Sequence, residues 1–348
     1  MQLILVEDGG GARGVTEAQV MTRLKARIPT LLEHVWLHSG ASIGGINSLG
    51  FAAGAEPEEL VEVFLEHGPK IFGARDWKDS IPGDELFRAN FSNDGLRRAM
   101  EPILGDKTLG DLDKKVLIPA FDLDNQDEGS KASATQRYTA RYWKPKFMHN
   151  FSGAGNDCAL LAMDAALRTS AAPTYFESYQ GYVDGGVVDN NPSMSALAKA
   201  VKEGAWVGSN TALMSEVVEA LEQVSSGNPA ILELLGRARE ALSRKAVVLS
   251  LGTGYNPHYI AGTKHDYGIT QWLKDGRLLN MVFDGMLGVP DYQCKQLLNG
   301  CYHRVNSFLD EVIDLADYKK MGQMLEIANA IDLDPIVKWL EGHLEAAA

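Results

Sequence analysis

The sequence is short of cysteine and of positive charge, and it has no long apolar run. Cys158, Cys294 and Cys301 are its three cysteines. They are too few for a disulfide scaffold, and no CxxC pair offers a zinc site. They are expected as free thiols in a reducing compartment. Thirty-three Lys and Arg face 46 Asp and Glu, a net charge of −13. That balance argues against nucleic acid as a main partner, because phosphate binding needs clustered positive charge. It also argues against tight electrostatic docking on anionic membranes. No apolar run reaches the ~18 residues needed to cross a bilayer. The opening MQLILVEDGG has no basic segment and only a five-residue apolar run, so it reads as a first strand rather than a signal peptide. The expected setting is cytoplasmic, free or peripheral at a membrane, with no cofactor and no metal.

Ordinary globular composition is what remains. Hydrophobic residues are 45% and charged residues 23% of the 348, which argues against disorder. Glycine is in excess, 35 residues against a usual share of about 7%, and much of that excess lies in three short motifs. Apolar runs at 2–6, 34–39, 115–123 and 246–251 predict strands, as do 134–142, 180–184 and a stretch near 301–306. Helical spacing predicts helices over 15–27, 45–54, 57–67, 94–104, 157–169, two within 211–243 split at Gly227-Asn228-Pro229, and more from 270 onward. Residues 69–92 lack periodicity and read as a surface excursion. Alternating strands and helices imply one α/β domain over 1–348, a mostly parallel sheet covered on both faces, with residues 256–348 mainly helical.

The first motif, Gly9-Gly10-Gly11-Ala12-Arg13-Gly14, follows the first strand. Consecutive glycines allow positive φ and a close approach of backbone N–H groups to a ligand, and amides at a helix start bind anions. A phosphate cradle, an oxyanion hole and a plain tight turn all fit. The Walker pattern is absent, and the second strand runs into a serine rather than the acidic residue a dinucleotide site wants. The second motif, Gly40-Ala41-Ser42-Ile43-Gly44, satisfies G-x-S-x-G between a strand and a helix. That is the context in which a sharp turn pushes a serine hydroxyl out of the sheet top and leaves the next amide, here of Ile43, free to hold an oxyanion. In the third, Asp184 leaves a strand end ahead of Gly185 and Gly186; the alternative is an Asp-capped turn.

Together these motifs resemble the patatin-like phospholipase family in order and approximate spacing. Lesser echoes agree: Ala171-Ala172-Pro173 with Tyr175-Phe176, Asn190-Asn191-Pro192, and Ser250-Leu251-Gly252-Thr253-Gly254. The resemblance covers about residues 1–255. It implies a three-layer α/β/α patatin-like fold and a serine lipid acyl hydrolase working through a Ser–Asp dyad without histidine. Carried over, Ser42 is the nucleophile and Asp184 the base. Gly9, Gly10 and Gly11 supply oxyanion amides, and Arg13 fills the loop's basic position. The implied substrate is a phospholipid or other fatty-acyl ester, met at a transient membrane or micelle surface.

Two rivals stay open. A Ser-His-Asp hydrolase would take its histidine from His258, His265 or His303, which follow Asp184. A cyclic-nucleotide-switched phospholipase effector would use the unmatched region after 255 as its sensor. Within that region, Leu278, Leu279, Val282, Phe283, Met286 and Leu287 form a broad stripe over 276–290, ended by Pro290. It reads either as a core helix or as a cover over an acyl pocket.

Overall fold

The protein is described by a computed structural model over residues 1–73, 91–125, 141–207, 211–224, 228–260 and 267–345. A seven-stranded sheet forms its centre, in the order β4-β3-β2-β1-β6-β7 with β5 also paired to β3. The strands are β1 (Gln2–Glu7), β2 (Val35–Gly40), β3 (Lys115–Asp122), β4 (Lys144–His149), β5 (Tyr182–Asp184), β6 (Ala246–Leu251) and β7 (Tyr302–Val305). The neighbours β3, β2, β1, β6 and β7 run parallel, so their carboxyl ends share one edge of the sheet. That edge is where ligands bind in open α/β sheets. All six residues of β6 are buried, as a central strand covered on both faces requires.

The longer helices are α1 (Val15–Arg27), α2 (Ser42–Ala52), α3 (Pro57–Ile71), α4 (Asn93–Leu104), α5 (Ala162–Thr169), α6 (Ser193–Lys202), α7 (Thr211–Val224), α8 (Pro229–Ser243), α9 (Arg277–Leu298), α10 (Met321–Ala330) and α11 (Asp334–Glu345). Helix α2 packs on β1, β2 and β3, whereas α6 packs on β1, β2 and β6. Every residue of α2 after Ser42 is buried, so its small side chains match its enclosed place. The architecture is the three-layer α/β/α arrangement that the alternating pattern implies.

Most elements fall where periodicity places them, and three differ. The expected strand over 134–142 lies mostly outside the described residues; the strand that pairs antiparallel with β3 is β4, with Pro145 inside it. Helix α9 does not end at Pro290 but continues to Leu298. Proline removes one ladder donor, yet Phe283, Leu287, Pro290, Cys294 and Leu298 are all buried along one side and hold the helix through it. The expected excursion over 69–92 lies outside the described residues between 74 and 90, and its first residues belong to α3.

One topological detail positions the site. β2 covers the edge of β3 only along Lys115–Leu117. Farther along, at Ala120–Asp122, β3 pairs with β4 on one side, and the other side is taken by β5, running antiparallel. β2 and β5 therefore approach each other head-on along one edge of β3. Gly40 ends the first strand and Asp184 ends the second.

Candidate active site

The chain leaves β2 at Gly40 and enters α2 at Ser42 without room for side chains. A Cβ on Gly40 would lie 2.1 Å from the Gly44 carbonyl oxygen, and one on Gly44 would lie 2.3 Å from that of Glu7. Between them Ser42 is held at φ +53°, a left-handed conformation that costs a non-glycine residue about 1–3 kcal/mol. The surrounding bonds fix it: the Ser42 N–H donates to the Thr169 hydroxyl at 3.0 Å, and the Ala41 N–H to the Glu7 carbonyl at 3.3 Å.

Thr169 ends α5 and also braces the opposite strand. Its carbonyl accepts the Gly185 N–H at 3.0 Å, while the Asp184 N–H donates to the Ala171 carbonyl at 3.0 Å. These contacts bring the Asp184 carboxyl to Ser42. The Ser42 hydroxyl donates to Oδ2 at 2.6 Å, and the Gly186 N–H donates to Oδ1 at 2.7 Å. Asp184 is buried. Burial pushes its carboxyl up to about 7, against the opposing pull of the hydrogen bonds from Ser42 and Gly186. Such a group can accept a proton near neutral pH and release it again.

The glycine loop lies beside this pair. Gly9 departs from expectation: its N–H donates to the Asn190 carbonyl at 3.0 Å, so it anchors the loop instead of facing a ligand. Its carbonyl accepts the Thr253 hydroxyl at 3.1 Å. The Ala12 N–H is likewise spent, on the Leu315 carbonyl at 2.7 Å. The amides of Gly10 and Gly11 make no hydrogen bond among the described residues. Ile43 sits in the first turn of α2, where amides have no intrahelical acceptor. Arg13 is buried, and its guanidinium donates to the Gly10 carbonyl at 3.2 Å and the Gly254 carbonyl at 3.1 Å. It braces the loop. Thr169 and Thr253 were not singled out individually by the sequence, although Thr253 and Asn190 lie within two of its lesser motifs.

Beneath the loop, the buried Asp8 and the largely buried Arg304 side chain form a bidentate ion pair, with oxygen–nitrogen distances of 3.1 and 2.5 Å. Burial pushes the Asp8 carboxyl up while Arg304 pulls it down, and Asp8 in turn raises the guanidinium. The two-point geometry favours the ionised form of the pair. The two residues are 296 positions apart, beyond any local signal.

Two recesses meet at Ser42. One is apolar, lined by Ile43, Ile46, Ile71, Phe72, Leu96 and Phe176 among others. The other is polar and also reaches Gly10, Arg13 and Asp184; its far wall is Asn256, His258, Asn280, Asp284 and Asp314, together with Phe283. His258 therefore shares a recess with Ser42, and its Nδ1 lies 3.2 Å from Asp284. The Ser42 hydroxyl, however, points to Asp184. His303 packs on Trp339 at 5.2 Å between ring centroids and lines neither recess, and His265 lies outside the described residues. Of the stripe on α9, Phe283 and Leu287 are buried and Leu278 is exposed. The side chains of Asn190 and Asn191 donate to the Phe283 and Leu287 carbonyls at 3.4 and 3.2 Å. Both residues are buried, and Phe283 also lines the polar recess that reaches Ser42.

A strand–turn–helix elbow thus presents a serine to a buried carboxyl in an α/β fold. The patatin-like phospholipase signature matches residues 5–197, more than half of the chain. The chain is 30% identical to the teg protein of Priestia megaterium over 269 residues, 76% of this chain and 67% of that one. It is 31% identical to a cGAMP-activated phospholipase of Escherichia coli over 215 residues, 58% of this chain and 56% of that one. The chain belongs to the patatin-like phospholipase family, which makes it a hydrolase acting on ester bonds. It spans about two thirds of the first relative's length and little more than half of the second's. No helix among the described residues is long and apolar enough to cross a membrane.

Proposed function

We propose that the protein is a lipid acyl hydrolase in which Ser42 attacks a fatty-acyl ester and Asp184 is the base. The observation that carries this reading is the 2.6 Å hydrogen bond from the Ser42 hydroxyl to a carboxyl that burial raises to about 7. Asp184 Oδ2 takes the hydroxyl proton as Oγ bonds to the ester carbon. The carbonyl oxygen becomes an oxyanion facing the amides of Gly10, Gly11 and Ile43, and one such donor is typically worth about 3–4 kcal/mol. Collapse of this intermediate expels the alcohol, which takes the proton back from Asp184. Asp184 then deprotonates a water that attacks the acyl-enzyme, which releases the fatty acid and restores Ser42. The apolar recess suits the acyl chain and the polar recess the alcohol portion. The substrate is a phospholipid or related ester, met at a membrane or micelle surface by a chain that acts as one unit.

The test is labelling and rate together. A fluorophosphonate should modify Ser42 alone. Ser42→Ala should stay folded and lose at least about 10³-fold in kcat on p-nitrophenyl esters. Labelling at another residue, or an active Ser42→Ala protein, rejects the assignment.

A second reading draws on the relative named as a cGAMP-activated phospholipase: hydrolysis here is switched on by a cyclic dinucleotide. Low basal activity that rises on addition of cGAMP supports it, and a constant rate dismisses it. His258→Ala separates the Ser–Asp dyad from a Ser-His-Asp mechanism. The dyad reading expects a change within about tenfold, the triad reading a loss of several orders of magnitude.

A further inference from the structure

Between α6 and β6 two helices stand apart from the rest of the fold. Helices α7 and α8 pack on each other, and neither packs extensively on any other element among the described residues. Their short connection makes them an antiparallel hairpin, about 20 Å long at 1.5 Å per residue. The Arg239 guanidinium ties the two together at Glu222, 2.5 Å away. Among the side chains described, Val218 is the one buried in α7 and Leu235 the one buried in α8. The large apolar residues around them are open: Met214, Val217, Leu221, Ile231 and Leu234 are 40–63% exposed. They stand at i−4, i−1 and i+3 from Val218, and at i−4 and i−1 from Leu235, where Ala238 completes the set. With each buried residue turned toward the other helix, equal offsets on antiparallel helices fall on one side of the hairpin. The result is a single apolar face with the spacing of a helix-bundle seam, uncovered among the described residues.

We propose that this face joins two copies of the chain in a four-helix bundle, with α7 of one copy against α8 of the other. The apolar stripe runs over both helices, so it is complementary to itself across a two-fold axis. The charges choose the pairing. Glu216 flanks the stripe on α7 and Arg237 flanks it on α8; both are exposed, and neither has an ion-pair partner among the described residues. Helix α7 carries Glu216, Glu219 and Glu222 and no cation, whereas α8 sets Arg237 and Arg239 against Glu233 and Glu240. A two-fold axis along the helices puts Glu216 beside the partner's Arg237, twice. An axis across them would set the two acidic α7 helices face to face. The same glutamates disfavour an anionic lipid surface as the occupant. The hairpin is also rooted away from the site. The Trp206 N–H donates to the Arg244 carbonyl and the Ala246 N–H to the Trp206 carbonyl, both at 2.9 Å, at the amino end of β6. Ser42 lies off the opposite, carboxyl edge of the sheet. The proposed contact therefore stands independently of the hydrolase reading, and its residues can be changed without touching the site.

Sedimentation equilibrium of the full chain tests this. The expected mass at micromolar concentration is twice the 37.9 kDa of one chain. Leu221→Glu with Leu234→Glu should return it to one chain, with fluorophosphonate labelling unchanged, because both positions are on the surface and far from Ser42. The milder Leu221→Ala with Leu234→Ala should raise the dissociation constant at least about tenfold, since both side chains lie near the centre of the face. Glu216→Arg and Arg237→Glu should each raise it about tenfold, the scale of two exposed charge pairs turned repulsive, and the two together should restore it. A wild-type chain that is monomeric at those concentrations overturns the proposal without any variant. So does a dimer that survives the substitutions at Leu221 and Leu234, which would have to use another face. A double charge reversal that restores nothing rejects the pairing of α7 with α8. Phosphatidylcholine vesicles are the competing occupant: a monomer that sediments with them, and is released by Leu221→Glu with Leu234→Glu, would make the face a lipid surface instead.

Discussion

The two walls around Ser42 come from different parts of the chain. The apolar wall, from Ile43 to Phe176, lies within the span that matches the family, apart from Leu315 at its border. The far wall of the polar recess, from Asn256 to Asp314, lies wholly after it. The elbow and the acid also belong to the first part. On the proposed reading, chemistry and acyl binding sit on shared family structure, and the surface that meets the rest of the substrate sits on a region without a recognised motif. The second region is nevertheless tied into the first. The Leu315 carbonyl accepts from Ala12, Gly254 accepts from Arg13, and Arg304 pairs with Asp8. The glycine loop is therefore shaped by residues that follow β6.

The largest expected effect breaks the chemistry and leaves both walls standing. Asp184→Asn removes the proton acceptor and should lower kcat by roughly 10²–10⁴-fold with little change in KM. In the wild type the carboxylate is the working form, so kcat/KM should rise with pH to a midpoint near the value of about 7 set by burial, then level off. Stability should run the other way. A carboxyl raised in the folded state contributes stability below its unfolded value of about 4, and that contribution is lost as pH rises toward 7. Asp184→Asn should therefore melt above the wild type at pH 8, with the gap closing toward pH 4. A variant less stable at pH 8 would mean that the hydrogen bonds from Ser42 and Gly186 outweigh desolvation.

Next in size is the tie between the two regions. Arg304 also donates to Ser250 at 2.8 Å and to the Tyr255 hydroxyl at 3.3 Å. Arg304→Met leaves Asp8 buried and uncompensated, which typically costs about 3–5 kcal/mol. Denaturant unfolding should show that loss. Asp8→Asn combined with Arg304→Met should recover part of it, since removing both charges removes the unpaired one. The single variant should also label more slowly with a fluorophosphonate, because Asp8 directly precedes the glycine loop. Full stability in Arg304→Met would show that the ion pair does not hold the two regions together.

The difference between the regions also explains what was legible. β1 and β6 are continuous apolar runs and α1 has a clean helical period, so local pattern places them. Ser42 and Asp184 are framed by glycines whose missing side chains leave a mark in the sequence. β4 leaves little mark: it is an edge strand carrying Lys144, Pro145 and Lys146, devices that protect an edge and make it resemble a loop. The head-on approach of β2 and β5 depends on pairing to β3, which no local pattern records. The same holds for Thr169, whose hydroxyl meets an amide 127 positions away. The loss of Gly9 as a donor could not be read either, because its partner is a backbone carbonyl and any residue has one. The aspartates and asparagines of the polar wall escaped for a different reason. Aspartates and asparagines on surface segments look alike whether they face solvent or a substrate.

The smallest effect sharpens the division between the walls. Ile46 lies one helical turn beyond Ser42, at i+4 on the same face of α2. It is almost wholly buried and lines the apolar recess. Ile46→Phe places a ring where the first carbons of an acyl chain would run. An octanoyl ester should then lose about tenfold in kcat/KM relative to an acetyl ester, because one or two displaced methylenes are each worth a few-fold or more. Overpacking should also cost about 1–3 kcal/mol of stability, so both substrates must be compared on folded protein. An equal loss on acetyl and octanoyl esters would make Ile46 a core residue and place the acyl wall elsewhere.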